Sequence, residues 1–272
     1  MSVFELTGRV VAITGGAGFL GVRHAEAVAE FGGSPVLLDL RGEDAERRAA
    51  EVAERFDVDA LGLGVDLTRE ADVEAALAAV LERFGRVDGL VNNAANNPKV
   101  DESAGTDWSR LEGFALDAWR ADLEVGLTAA FLCSRVFGAE MARRGGGVIL
   151  NIASDLALIG PDQRLYRQDG LPEERQPVKP VSYPVVKSGL LGLTRYLATY
   201  WATAGVRANA LSPGGVREAQ DEVFLARIRE VIPMGRMAQP DEYKGAVVFL
   251  LSDASAYMTG ANLVVDGGRT AW

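Results

Sequence analysis

Short runs dominated by Val, Leu, Ile and Ala alternate with longer stretches whose apolar residues recur every three or four positions. That alternation constrains the chain more than any other feature. Strands are expected at residues 9–14, 35–39, 59–65, 87–91, 148–152, 206–211 and 262–265. Between them, helices are expected at 18–31, 43–56, 69–84, 117–143, 182–203 and 241–252. In the third of these, Val73, Leu77, Val80 and Leu81 keep helical spacing. Strands that are apolar throughout are buried on both faces, so the pattern predicts βαβ units. The expected fold is α/β, Rossmann-type and doubly wound, with a central parallel sheet of about seven strands and helices on both faces. No linker, repeat or low-complexity tract divides residues 1–272, which read as one domain. One segment breaks the rhythm. Residues 160–181, rich in Pro, Arg, Asp and Glu, are longer than the loops that usually join such elements, and loops of that length are commonly functional.

Composition removes several function classes. Glycine is abundant, 31 residues in 272, beside only 10 prolines and 48% hydrophobic residues, which points to tight turns and not to disorder. One Cys and one His cannot build a Cys/His zinc site or a disulfide framework, and they leave little room for a His-based triad. No metal site is expected. A net charge of −10 argues against nucleic acid or an anionic membrane as partner. The segment Met1 to Arg9 has no cationic stretch followed by a long apolar one, and no apolar run approaches the roughly 18–20 residues of a membrane span. The expected compartment is the cytoplasm.

The turn Thr14-Gly15-Gly16-Ala17-Gly18-Phe19-Leu20-Gly21 follows the first strand and opens the first helix. Glycines there let backbone N–H groups and a helix N-terminus approach a pyrophosphate. Asp39 ends the second strand, 18 residues past Gly21. Its carboxylate can accept hydrogen bonds from the adenosine ribose hydroxyls and would repel a 2′-phosphate, which favours NAD(H) over NADP(H). Arg41 stands close enough to weaken that preference. The plainer readings are an ordinary strand–helix turn and a solvated strand-end carboxylate.

Further motifs follow the other strands. They are Asp66-Leu67 after the third, Asn92-Asn93-Ala94-Ala95 after the fourth, Asn151-Ile152-Ala153-Ser154 after the fifth and Ser212-Pro213-Gly214-Gly215 after the sixth. Tyr183-x-x-x-Lys187 and the ending Val265-Asp266-Gly267-Gly268 complete the set. In this order the chain resembles the short-chain dehydrogenase/reductase family over nearly its whole length. The resemblance implies a nicotinamide dinucleotide held by Gly15, Gly18, Phe19, Leu20, Gly21, Asp39, Asp66, Leu67, Asn93, Ala94, Pro213, Gly214 and Val216, with Tyr183 and Lys187 at its nicotinamide end. It also implies a homo-oligomer, most often a tetramer, with the helices expected at 117–143 and 182–203 and the C-terminal segment as contacts.

Only four of the 28 basic residues are lysines (Lys99, Lys179, Lys187 and Lys244), so a Tyr-x-x-x-Lys pair is rarely a chance event here. On a helix, i and i+4 share a face, and an ammonium beside a phenol favours the phenolate. Oxidising an alcohol requires removal of the hydroxyl proton as hydride leaves carbon, and reducing a ketone requires its return. Tyr183 is therefore assigned as general acid/base and Lys187 as the residue that lowers its pKa. By the resemblance, Lys187 also binds the nicotinamide ribose. Ser154 is assigned to hydrogen-bond the substrate oxygen.

Three features depart from the single-domain branch of that family. Phe19 replaces its middle glycine, a spacing that looks like the extended, sugar-nucleotide branch. Gly126 stands where the family usually has a proton-relay Asn, so either water fills that space or the relay runs another way. Ser154 and Tyr183 are 29 residues apart, about twice the usual separation, and residues 160–181 account for the difference. Within them Gln163, Arg164 and Tyr166 are expected to bind a hydroxyl-rich substrate. Gly160-Pro161-Asp162-Gln163-Arg164-Leu165-Tyr166 also has a looser similarity to flagellin-modification dehydrogenases of sugar pathways. Four residues follow Gly268, so a second substrate domain is not expected and loops of the one domain should form the pocket. His24 and Cys133 read as structural.

The expected function is NAD(H)-dependent interconversion of a secondary alcohol and a ketone on a small polar molecule such as a sugar or polyol. Two alternatives stand beside it: a sugar-nucleotide epimerase or dehydratase with tightly bound NAD, and a non-catalytic NAD-binding regulatory protein.

Overall fold

Strand β1 (Val10–Thr14) is buried at every position, as a strand covered by helices on both faces must be. Its side chains alternate between two apolar clusters. Val11 and Ile13 enter one, Val10 and Ala12 the other. A computed structural model of the chain describes residues 2–96 and 107–272; Lys99 lies outside them. In it β1 pairs in parallel with β2 (Ser34–Asp39) and β4 (Gly89–Asn92). β3 (Leu61–Gly64) lies beyond β2, and β5 (Gly147–Ile152), β6 (Val206–Pro213) and β7 (Asn262–Val265) extend the other side. The order is β3-β2-β1-β4-β5-β6-β7, all parallel. The chain therefore reverses direction across the sheet between β1 and β4, and the crevice at the strand C-termini there is where ligands bind in such sheets.

One face carries α1 (Phe19–Glu30), α2 (Gly42–Phe56) and, near the end of the chain, α8 (Lys244–Leu251). The other carries α3 (Glu70–Phe84), α5 (Ala129–Arg143) and α6 (Ser182–Tyr200). The helix expected at 117–143 is instead three segments: α4 (Leu116–Leu123), a π turn at Glu124–Thr128 and α5. Together the three segments make a 28-residue helical run, Leu116–Arg143, apolar enough to meet the length and composition of a membrane span, which corrects the expectation that none does. Half of its apolar window is buried inside this fold. The strand expected at 59–65 is shorter at both ends: its pairing with β2 begins at Leu61 and closes with the Val65 N–H donating to Asp39 O at 2.8 Å. A further helix, α7 (Glu222–Glu230), was not anticipated. Its charged residues outweigh a short apolar stripe, Leu225 and Ile228, that packs on the segment before α6.

Polar side chains also bind the layers together beneath the crevice. Asn92 Nδ2 donates to Asn151 Oδ1 (2.8 Å) and Ser134 Oγ (3.0 Å), and Asn151 Nδ2 donates to Thr194 Oγ1 (2.8 Å). This chain joins β4, β5, α5 and α6 at the level where the site residues emerge. Buried amide networks of this kind help to fix one register.

Candidate active site

A cleft of 1320 Å³ runs along the C-terminal edge of the sheet. At one end the glycine turn sets its wall. Gly15 has φ +62°, and a Cβ at Gly21 would sit 2.1 Å from Gly15 O, so the turn tolerates no side chain at that point. Gly21 itself does not line the cleft; it supports the turn, whereas Gly15, Gly18, Phe19 and Leu20 face the opening. The first turn of α1 has no acidic residue and no side-chain cap, which leaves its N–H groups suited to a phosphate. Asn93 locks the turn by donating to Thr14 O (2.9 Å) and Gly15 O (3.2 Å).

Asp39 stands at the same end, nearly buried. Its Oδ2 accepts from Ala17 N (3.1 Å) and its Oδ1 from Arg41 N (3.1 Å). Each oxygen keeps a second lone pair for a ribose hydroxyl. The Arg41 guanidinium lies between Asp39 (3.5 Å) and Asp44 (3.1 Å), two carboxylates that already neutralise it. Asp66 and Leu67 line the cleft next to Asp39. The Asp66 carboxyl is held below its ordinary value by hydrogen bonds from the Thr68 hydroxyl and N–H. Asn93, Ala94, Pro213, Gly214 and Val216 line its middle. A dinucleotide fits this donor set: bare N–H groups for the phosphates and a carboxylate at the ribose.

Ser154, Tyr183 and Lys187 meet at the middle of the cleft. Ser154 emerges at the end of β5, and α6 presents Tyr183 and Lys187 one turn apart. Lys187 Nζ donates to Ile152 O at 2.7 Å and lies 5.8 Å from the Tyr183 ring centroid. Burial pushes the Lys187 ammonium down to about 8, helped by the charge of Lys179. The expected depression of the Tyr183 pKa is not found in the free chain. Burial pushes the phenol up to about 12; the Ser154 hydrogen bond opposes that rise and Asp155 adds to it. A second lysine, not anticipated as part of the site, lies closer. Lys179 Nζ sits 4.0 Å from the Tyr183 ring centroid on the cleft wall, and burial holds it down to about 8.

Gly126 is buried in the π turn, and a Cβ there would meet Val186 Cγ1 at 2.5 Å. Val186 thus occupies the space beside Gly126, so of the two sequence-based alternatives a water in that position is disfavoured. We expect Gly126→Asn to lower stability by about 1–3 kcal/mol, as overpacking does, without raising kcat. Thermal unfolding and steady-state rates check this; a stable variant with faster turnover contradicts it.

Residues 160–181 are ordered and not a bare loop. They contain helical turns at Gln163–Tyr166 and Glu173–Arg175. The Gln176 amide closes the segment by accepting from Gln168 N (2.8 Å) and donating to Leu171 O (2.7 Å). Leu165 packs with Leu225, Ile228 and Met237, and the Tyr166 and Phe224 rings are 5.8 Å apart. Tyr166 lines the cleft, but Gln163 and Arg164 do not. Gln163 Oε1 accepts from Lys179 N, and Arg164 turns to solvent, where Asp162 holds it at 2.7 Å. The helical turn explains this: with Leu165 and Tyr166 pointing inward, residues 163 and 164 face out. Arg167, Gln168 and Lys179 border the cleft in their place.

Comparison with known proteins matches this geometry. The pattern described as short chain dehydrogenase fits residues 9–165, and that described as enoyl-(acyl carrier protein) reductase fits 173–270. The chain belongs to the short-chain dehydrogenase/reductase family. It is 36% identical over 272 residues to a D-threitol dehydrogenase of Mycolicibacterium smegmatis, covering 98% of this chain and 95% of that one. It is 31% identical to an NAD-dependent glycerol dehydrogenase of Listeria innocua, covering 98% and 96%. The solved NADPH-dependent 3-quinuclidinone reductase of Rhodotorula rubra superposes with a TM-score of 0.85 at 30% identity, covering 100% and 96%. This short-chain dehydrogenase/reductase is thus an alcohol/ketone oxidoreductase that depends on a nicotinamide dinucleotide. Its relatives use both NAD and NADP.

Proposed function

We propose that this enzyme oxidises a secondary alcohol of a small polyol to the ketone with NAD+, and can run the reverse with NADH. The single observation that carries the cofactor choice is Asp39, nearly buried at the ribose end with Arg41 neutralised by two carboxylates. A 2′-phosphate there would meet a fixed negative charge, with Arg41 already engaged by two carboxylates. The threitol and glycerol dehydrogenases among its relatives support a polyol substrate. The polar rim of the cleft, with Ser154, Tyr166, Gln168 and Lys179, offers the donors and acceptors that hydroxyl-rich molecules need.

When bound, the dinucleotide supplies the hydride acceptor. The chain does the rest. Ser154 and Tyr183 hold the substrate oxygen, and the Tyr183 phenolate takes the hydroxyl proton. Lys179 and Lys187 keep positive charge beside the ring. Because the base is the phenolate and burial pushes Tyr183 up to about 12, kcat/KM for oxidation should keep rising with pH through the alkaline range, while ketone reduction, which needs the neutral phenol, should stay nearly level and fall only as that value is approached. Rate profiles for the two directions with NAD+ and NADH check this. Parallel profiles in both directions would contradict it.

A homo-oligomer, with a tetramer favoured, is part of this reading. Phe131 on α5 and Tyr196 and Tyr200 on α6 are exposed aromatic side chains on the two helices expected to form contacts. Light scattering of the purified chain tests it: a mass near 29.0 kDa at working concentration would rule it out.

A further inference from the structure

Beyond Val265-Asp266 the chain turns back toward the catalytic centre. Gly267 and Gly268 have φ of +67° and +89°, and Asp266 clamps the turn by accepting from Gly268 N (2.9 Å) and Thr270 N (2.8 Å). The turn delivers Arg269, whose Nη1 lies 3.0 Å from Asp155 Oδ2, with both side chains less than a tenth exposed. The other oxygen of Asp155, Oδ1, accepts from Ser154 Oγ (2.8 Å) and Leu156 N (2.8 Å). Ser154 in turn is the hydrogen-bond partner of the Tyr183 phenol. A continuous chain therefore runs from Arg269 through Asp155 and Ser154 to the acid/base.

A serine hydroxyl has one proton. With that proton directed at Asp155, the side-chain rotation of Ser154 is fixed: one lone pair accepts from Leu156 N (3.2 Å), and the other is left for the Tyr183 side of the cleft. The carboxylate that achieves this carries a negative charge beside a phenol that must ionise. Arg269 offsets that charge. We propose that Asp155 and Arg269 are a buried positioning pair, in which Asp155 orients Ser154 and Arg269 keeps the Asp155 carboxylate from opposing phenolate formation at Tyr183. The proposal rests on the acid/base reading of Tyr183.

Other charged and titratable groups face the same ring. Lys187 comes from α6 and Lys179 from the segment before it, with Tyr166 on the same inserted segment. Asp122 of α4 acts on Lys179, and Asp162 faces Arg269. None of these others is hydrogen-bonded to Ser154. Breaking a buried pair leaves the surviving charge uncompensated, so its effect on a neighbour is large and its sign is known.

The test compares wild type, Asp155→Asn, Arg269→Gln and the double variant. The Tyr183 titration is followed by NMR of Cζ-13C-labelled tyrosine, assigned with Tyr183→Phe, so no substrate is needed. Asp155→Asn removes the negative charge nearest the phenol while Arg269 remains, and should lower the titration by about one pH unit. Arg269→Gln should move it up beyond the accessible range, and the double variant should return close to wild type. With NAD+ and D-threitol, the rising limb of kcat against pH should shift in the same two directions. Arg269→Lys should restore most of the wild-type behaviour. If Arg269→Gln does not fold, the downward shift in Asp155→Asn carries the test alone. An unchanged Tyr183 titration in Asp155→Asn overturns the pair. An active Tyr183→Phe enzyme would instead overturn the acid/base reading, a separate outcome.

Discussion

Replacing Tyr183 by Phe is expected to lower kcat for alcohol oxidation by about 10²–10⁴-fold, the range that a positioned acid/base contributes. The substitution removes one oxygen and keeps the ring. The cation–π contact with Lys179, 4.0 Å from the centroid, therefore survives, as does the packing on the cleft wall. Binding of NADH, followed by its fluorescence, should stay within about twofold of wild type, because the glycine turn and Asp39 are untouched. Loss of turnover with retained binding identifies Tyr183 as the proton-transfer group. Near-wild-type turnover would contradict that role. Loss of both turnover and binding would mean that the phenol is needed to build the cleft.

Asp39→Ala should have the second largest effect, on cofactor choice. Hydrogen bonds to a charged partner contribute about 1.5–3 kcal/mol, so kcat/KM with NAD+ should fall about 10- to 100-fold. The same change frees Arg41 from one of its two carboxylates, at 3.5 Å, and leaves Asp44 at 3.1 Å. Activity with NADP+ should therefore rise in absolute value while staying below the wild-type rate with NAD+. The decisive number is the ratio of kcat/KM for the two cofactors. An unchanged ratio would show that Asp39 serves only to hold the glycine turn through Ala17 N.

The layer order was legible in the sequence because each strand is apolar on both faces, as a sheet covered twice requires. Every strand expected is present, and the differences lie at their ends, where tertiary hydrogen bonds decide. β3, for instance, starts only at Leu61, where pairing with Val36 of β2 begins. The helix expected at 117–143 has the right period and limits near the observed ones, yet a π turn interrupts it at Gly126, against which Val186 packs. That packing joins residues 60 positions apart and has no local signature. The dinucleotide half of the cleft was legible because glycine and aspartate positions there are dictated by backbone approach. The substrate half was less so. Gln163 and Arg164 carry the right chemistry, but Leu165 must reach the apolar cluster around Leu225 and Ile228, and this turns its two predecessors outward. Lys179 carried no such signal: it lies four residues before Tyr183 but outside α6, so helical spacing does not relate the two. Asp155 and Arg269 carried almost none, since their pairing depends on the turn at Gly267 and Gly268.

Absorbance at 340 nm tests the central claim most directly. Wild-type enzyme with NAD+ and a panel of polyols, D-threitol and glycerol among them, should form NADH and a ketone in equal amounts with at least one member. The same panel with NADP+ should be slower for that member. Absence of net NADH formation with every polyol, in an enzyme that nevertheless retains bound NAD and interconverts sugar-nucleotide isomers, would contradict the account.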